Sequence, residues 1–162
     1  MPFVSRSDFS SDLSAIQQLP NELVRQQQSA LKSIGFSLVA KQRQHFNQLT
    51  KTGSSNGVTW PAPAPATIAR RRTLQRRGLL PNADPNQSGR VTGELGNSFR
   101  FSVRKNSVVV VNTSAHANFF NVKRPLMPTA MPAEWQASSE AIVQRSLDRL
   151  SISRYDSQGN AK

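Results

Sequence analysis

This chain of 162 residues contains no cysteine, only one tyrosine and only two histidines. Without cysteine it can form no disulfide bond, no thiolate metal site and no cysteine nucleophile. It has no run of about 18 apolar residues, which a membrane-spanning helix requires, and no apolar stretch like that of a signal peptide at its start. Its hydrophobic fraction of 36% is below the usual ~45–50%. We therefore expect a soluble protein with no membrane contact.

Acidic residues are scarce as well. Nine of them face 21 lysines and arginines, which gives a formal net charge of +12. None lies between Glu22 and Asp84, a stretch that holds three lysines and seven arginines, whereas the other eleven cations face all nine acids. A basic block of this kind indicates contact with phosphate, with an anionic surface or with an acidic partner protein.

Helical spacing of apolar residues governs the first half of the chain. It predicts a short helix over 7–19 that ends at Pro20, then a long helix from Asn21 to about Gly53. The apolar stripe of the long helix is Leu23, Leu31, Ile34, Leu38, Phe46 and Leu49. Residues 53–66 are expected to be a loop with an extended Pro–Ala path. A third helix is predicted over 67–77, with Thr67 as its cap and Gly78 as its end.

The second half begins with alternating residues that predict a strand over 99–104. Lys105 and Asn106 are a candidate turn into a second, valine-rich strand over 107–112. The side chains expected to be buried against the long helix are Phe99, Phe101, Val103, Val108 and Val110. One or two helical turns are expected over 115–121, no regular structure over 123–133, and a closing helix over 134–150.

These elements predict an α+β fold. A small twisted antiparallel sheet with a hairpin at about 99–112 would be packed by the long N-terminal helix and the C-terminal helix, with extended loops. We expect residues 1–20 to form a helical segment, 21–155 a single domain, and 156–162 a flexible tail.

Groups suited to catalysis are few. His45 falls on the apolar stripe of the long helix, and neither it nor His116 has the partners of a catalytic triad or a metal site at recognisable spacing. Asp8 and Asp12 are explained by a helix start. The glycines of 88–98 lack the lysine and the preceding strand of a phosphate loop. We expect no enzyme activity, no cofactor and no metal.

The third helix concentrates the positive charge. Five guanidinium groups stand within eight residues, namely Arg70, Arg71, Arg72, Arg76 and Arg77. Three consecutive arginines span about 200° of a helix, so they cannot share one face. Three interpretations stay open: a solvated helix that pairs with acids of neighbouring subunits, direct contact with DNA, or an RNA-type arginine motif.

Trp60 is the only large apolar group in the loop before this helix. It has two interpretations: a hydrophobe folded back onto its own domain, or an anchor that docks into a neighbouring subunit. Because rigid prolines flank it, docking would lose little conformational entropy.

The order of several short motifs resembles a known family. The first part comprises Asn56-Gly57, Trp60, Pro61, Thr67 and Arg70–Arg72, the second Thr92-Gly93, Leu95 and Ser98, and the last Arg124-Pro125. Together with the preceding helix, this series over roughly residues 30–150 is similar to that of the tailed-phage virion morphogenesis family, the tail-completion or neck proteins.

The resemblance implies a structural virion protein that completes the tail or joins it to the head connector. It implies a ring oligomer, expected as a hexamer, at the head–tail interface of a virion, built from chains made in the host cytoplasm. The implied partners are further copies of the chain and the neck, connector, tail-tube or tail terminator proteins, with non-specific contact to packaged DNA. The loops at 58–66 and 123–133 are the expected contact arms.

The alternative class of function is a monomeric basic nucleic-acid-binding protein, which the charge alone favours.

Overall fold

The computed structural model describes residues 21–80, 84–87 and 93–159. In chain order the elements are α1 (Asn21–Thr52), β1 (Ser54–Ser55), β2 (Val58–Thr59), α2 (Pro65–Arg76), α3 (Glu94–Asn97), β3 (Phe99–Arg104), β4 (Ser107–Asn112), α4 (Ala117–Lys123) and α5 (Ala133–Gly159). The strands form two small sheets of two strands each. The predicted α+β class is confirmed. The helix predicted over 7–19 lies outside the described residues.

The long helix α1 has the predicted bounds. It ends where Gly53 adopts a φ of 78° and donates its amide to the Leu49 carbonyl at 3.0 Å, a conformation that glycine adopts without strain. All six residues of the predicted apolar stripe are buried. Gln42, which interrupts the stripe, is buried as well, and its side chain donates to the Leu126 carbonyl at 2.6 Å.

The described residues form two compact units. The first unit comprises residues 39–100 and 111–130, and the second comprises residues 21–38, 101–110 and 131–159. Both α1 and the β3–β4 hairpin contribute residues to each unit.

In the second unit, the tip of the hairpin packs on α1. The turn at Lys105 and Asn106 is confirmed, and Asn106 Oδ1 accepts a hydrogen bond from Gln27 at 3.2 Å. The ring of Phe101 lies against Gly35 and meets the ring of Phe36 edge-on, with centroids 4.9 Å apart.

The predicted burial of the hairpin is only partly right. Phe99, Val108 and Val110 are buried, whereas Phe101 and Val103 are half-buried. For Phe101 the reason lies in its neighbour, because Phe36 is itself 68% exposed and leaves the outer side of the Phe101 ring open.

In the first unit, residues 54–59 form a small hairpin rather than the predicted loop. Ser54 pairs with Thr59 and Ser55 with Val58 in antiparallel register. Asn56 and Gly57 have φ values of 45° and 75°, and two successive residues with positive φ are typical of the type I′ turn that joins two-residue hairpins. The Asn-Gly dipeptide is a signal for this turn that the loop prediction overlooked.

His45 connects this small hairpin to α1. The Ser55 hydroxyl donates to Gln48 Oε1 at 3.2 Å and lies 2.9 Å from His45 Nδ1, which is also 3.3 Å from Asn56 Nδ2. The His45 side chain is buried, and this burial lowers its pKa to about 4. His45 is therefore neutral at pH 7 and part of the core of its unit.

Three other helices differ from their predicted bounds. Helix α2 begins at Pro65 instead of Thr67, because proline suits the first helical position, and the stop at Gly78 is confirmed by its φ of 72°. Helix α4 extends to Lys123. Helix α5 runs nine residues beyond the predicted end at Leu150, because the chain has no glycine or proline between Glu134 and Gly159 to end it. Residues 124–132 have no helix or strand, as predicted.

Replacing Gly35 with alanine is expected to destabilise the protein, although alanine normally favours an α-helix by about 1 kcal/mol over glycine. An added Cβ would lie 2.6 Å from Phe101 Cγ and closer still to Cδ2, so the Phe101 ring would have to move. We expect Gly35→Ala to lower the free energy of unfolding in denaturant by about 1–3 kcal/mol.

The control is the same substitution in a Phe101→Ala background. With the ring removed, Gly35→Ala should be neutral or stabilising there. If Gly35→Ala lowered the free energy of unfolding equally in both backgrounds, a clash with the Phe101 ring would not be the cause.

The buried His45 predicts a pH dependence of stability. Its folded pKa of about 4 lies below the ordinary histidine pKa of 6.5, so the unfolded chain binds the extra proton more readily. The contribution of His45 is fully present above pH 6.5 and is lost as the pH falls toward 4. Between pH 6.5 and about pH 5 the free energy of unfolding should fall by about 2 kcal/mol more in the wild type than in His45→Gln. Parallel pH profiles for the two proteins would contradict this account.

Candidate interaction surface

Two segments that are distant in sequence hold each other by reciprocal hydrogen bonds. Trp60 Nε1 donates to the Pro125 carbonyl at 2.7 Å, and Arg124 Nη2 donates to the Pro61 carbonyl at 3.1 Å. We call these four residues the clasp. All four were predicted as interaction residues, and the structure brings them together.

Aromatic rings surround the clasp. The Trp60 ring meets Phe46 and Phe120 edge-on, with centroids 5.6 Å and 5.1 Å away. The Arg124 guanidinium carbon lies 5.8 Å from the centroid of the Phe120 ring, a distance at which a cation is attracted to the ring. The clasp therefore combines two hydrogen bonds, edge-on ring contacts and a cation–π contact.

The structure decides between the two interpretations of Trp60. Its side chain is 4% exposed and its single donor is used within the unit, so it folds back onto its own chain. The expectation that Trp60 docks into a neighbouring subunit is wrong for this conformation, because a buried and hydrogen-bonded indole presents no surface.

The two loops predicted as contact arms are only partly buried. Leu126, Met127 and Pro128 are buried, and the amide of Leu126 donates to Asn121 Oδ1 at 2.8 Å. In the clasp only the prolines, Pro61 and Pro125, are exposed. Residues 61, 62 and 64–66 of the first segment and residues 129 and 130 of the second are exposed, so their role as contact arms stays a prediction.

Helix α2 lies at the surface and has no buried residue. Its less exposed side consists of Ile68, Arg71, Leu74 and Gln75. Arg71 Nη1 donates to the carbonyls of Pro85, at 3.3 Å, and Gln87. It therefore fixes the loop at 84–87 and is not a free surface cation.

The pKa of Arg71 reflects this position. Burial lowers it first, the charge of Arg124 lowers it further, and the carboxylate of Asp84 raises it in part. Arg71 therefore lies within the electrostatic range of the clasp on one side and of the 84–87 loop on the other.

The other four arginines of the cluster differ from Arg71. Arg70, Arg72, Arg76 and Arg77 are exposed, and in the described part of the chain none of their side chains makes a hydrogen bond or an ion pair. The sequence groups five arginines, whereas the structure separates Arg71, which anchors the loop at 84–87, from the other four. We call these four the free arginines, because their side chains have no partner among the described residues.

Helix α4 presents an apolar surface that the sequence analysis did not assign. Phe119 and Val122 are 76% and 84% exposed and lie three residues apart, on one side of the helix. A signal was present: Phe119 and Phe120 are adjacent in a helix of two turns, so only one of them can point inward. Leu79, just after α2, is 65% exposed as well.

Neither a metal-binding cluster nor a membrane-spanning helix is found among the described residues. Within residues 23–80, 84–87 and 93–149, no three His, Asp or Glu side chains are grouped so that they could bind a metal ion. No described helix is both long and apolar enough to cross a membrane. His116 is exposed, and His45 is committed to the core.

The clasp predicts two different effects at Trp60. Trp60→Ala removes a buried ring and should lower the free energy of unfolding by about 3–5 kcal/mol. Trp60→Phe keeps an aromatic ring but leaves the Pro125 carbonyl without its donor, which should cost about 1–3 kcal/mol. Chemical denaturation of the three proteins measures both. If Trp60→Ala lost less than 1 kcal/mol, Trp60 would not be part of the core.

Comparison of the chain with protein-family models, with curated proteins and with solved structures gives no match.

Proposed function

We propose that this chain is a structural virion protein of a tailed phage. It completes the tail or joins the tail to the head connector, and it works as a ring of identical copies. Its partners are its own copies and the neighbouring neck, connector, tail-tube or terminator proteins.

The observation that carries the proposal is the clasp. Two of the motif segments on which the family resemblance rests, Trp60-Pro61 and Arg124-Pro125, bond to each other through side chains and carbonyls. Residues matched only by their order in the sequence thus form one interdependent group in the fold. This supports the resemblance, because an accidental match between short motifs gives no reason for contacts between them.

Four of the other motif residues have structural roles as well. Gly57 and Gly93 have positive φ values, which few residues other than glycine adopt readily. Leu95 is buried, and the Ser98 hydroxyl donates to the Glu94 carbonyl at 2.7 Å. These four positions shape the backbone or the core, which supports the resemblance.

We place the contact between copies at the apolar surface of α4. In a ring, one patch of each copy meets a different patch on its neighbour. Phe119 and Val122 are the most exposed large apolar residues among those described, and exposed apolar groups that lie together mark sites of protein contact. The buried Trp60 is replaced in this role by the two residues of α4.

A second function, that of a monomeric basic nucleic-acid-binding protein, is favoured by one observation. The four free arginines of α2 have no internal partner in the described part of the chain. A protein of that kind would bind without forming a ring.

The test is the mass of the purified protein by size exclusion with light scattering. We expect a stable multiple of 17.9 kDa at both low and high salt, because an apolar contact is not screened by ions. Phe119→Ser combined with Val122→Ser should give a monomer with unchanged thermal stability, since both side chains are exposed.

The matched control is Val24→Ser combined with Leu147→Ser, which changes two exposed apolar residues elsewhere and should leave the assembly intact. A wild-type protein that is monomeric at both salt concentrations would overturn the ring. Loss of assembly in the control alone would move the contact away from α4.

A further inference from the structure

The free arginines of α2 lie on two flanks of its exposed side. At about 100° per residue, Arg70 and Arg77 share one direction, whereas Arg72 and Arg76 share another that lies about 130° away across the solvent side. The half-buried residues Ile68, Arg71, Leu74 and Gln75 occupy the opposite side, which agrees with their exposure.

Only small side chains stand between the two flanks. Ala66, Ala69 and Thr73 fall in this direction, and all three are exposed. The solvent side of α2 therefore has only short side chains along its middle and two guanidinium groups along each edge. Nothing bulky prevents a partner from approaching the helix backbone between the charges.

A flat anionic surface cannot contact both flanks at once, because they diverge around the helix. A groove with negative charge on both walls can contact both flanks at the same time. The major groove of B-DNA is about 12 Å wide and is lined on each side by a phosphate strand, and a helix with its side chains measures about 10–12 Å across. Arginine also matches phosphate with two parallel hydrogen bonds.

We propose that α2 enters the major groove of double-stranded DNA. Arg70 and Arg77 contact the phosphates of one strand, and Arg72 and Arg76 contact those of the other. This inference goes beyond the proposed function and does not rest on it, since it concerns the binding of DNA by the purified chain.

The same geometry indicates that α2 does not distinguish one base sequence from another. Bases are distinguished by polar side chains that reach the floor of the groove, and here the floor faces two alanines and one threonine. Binding is therefore largely independent of base sequence. A-form RNA has a deep, narrow major groove that does not admit a helix in this way, and α2 has no aromatic residue on which single-stranded bases stack.

The experiment measures binding by fluorescence anisotropy with a duplex DNA of arbitrary sequence at several salt concentrations. Each phosphate contact contributes about 0.9 to the slope of log affinity against log salt. Replacing the four free arginines with glutamine should therefore reduce the slope by about 3.6. Between about 50 and 200 mM salt the wild type should lose about 150-fold more affinity than this variant.

The matched control replaces Arg25, Lys32, Arg43 and Lys51 with glutamine. These four cations are exposed on α1, so the net charge changes equally while α2 stays intact. For this control, the slope of log affinity against log salt should be nearly as steep as for the wild type. Equal losses in both variants would mean that net charge alone attracts DNA and would overturn the proposal.

A third variant tests the groove itself. Ala69→Phe leaves every charge in place but raises the middle of the exposed side, so we expect it to weaken duplex binding several-fold. Unchanged affinity would overturn entry into the groove. Binding of poly-glutamate or of anionic vesicles as tight as that of duplex DNA would also overturn the proposal, because those surfaces have no groove. All variants are first checked for unchanged thermal unfolding.

Discussion

The first unit depends on the hydrogen bond from the Trp60 indole to the Pro125 carbonyl. Segment 124–132 has neither helix nor strand, so its backbone groups need partners from side chains. Trp60 supplies one such partner at 2.7 Å, and Gln42 supplies another to Leu126 at 2.6 Å. Without these donors, two carbonyls would be left unsatisfied beside the buried Leu126 and Met127.

The arginines show that one residue type performs two tasks in this protein. Arg71 uses its donors on the carbonyls of Pro85 and Gln87, and Arg124 uses one of its donors on the carbonyl of Pro61. Both thereby stabilise irregular backbone, a role that suits a planar group with several fixed donors. The four arginines on the exposed side of α2 have no such partner among the described residues, so their charge is available to another molecule.

Much of the fold follows from short-range patterns. The stripe of α1, the turn at Lys105 and Asn106 and the stop at Gly78 are local features, and all three are confirmed. Phe101 was harder to predict, because its exposure is determined by Phe36, a residue 65 positions away that itself remains exposed. The small hairpin at 54–59 was missed for a different reason: its strands are only two residues long, too short for an alternating pattern to show.

The candidate site, like the fold, is predicted from the sequence only in part. The composition of residues 67–77 was sufficient to predict a basic helix, but it did not distinguish Arg71 from its neighbours. That distinction depends on the loop at 84–87, whose carbonyls approach α2 only in the fold. The four clasp residues were predicted as interaction residues but not as partners of each other, since no local pattern relates Trp60 to a carbonyl 65 residues further along.

The chain's two tryptophans are divided between its units. Trp60 belongs to the first unit and Trp135 to the second, and both are buried. Indole emission shifts to longer wavelength when the ring enters water, so each unit carries its own intrinsic fluorophore. A chain in which Trp135 is replaced by phenylalanine retains only Trp60 and reports on the first unit, whose own core is left unchanged. The wavelength of tryptophan emission during unfolding therefore distinguishes one cooperative step from successive unfolding of the two units, without any added label.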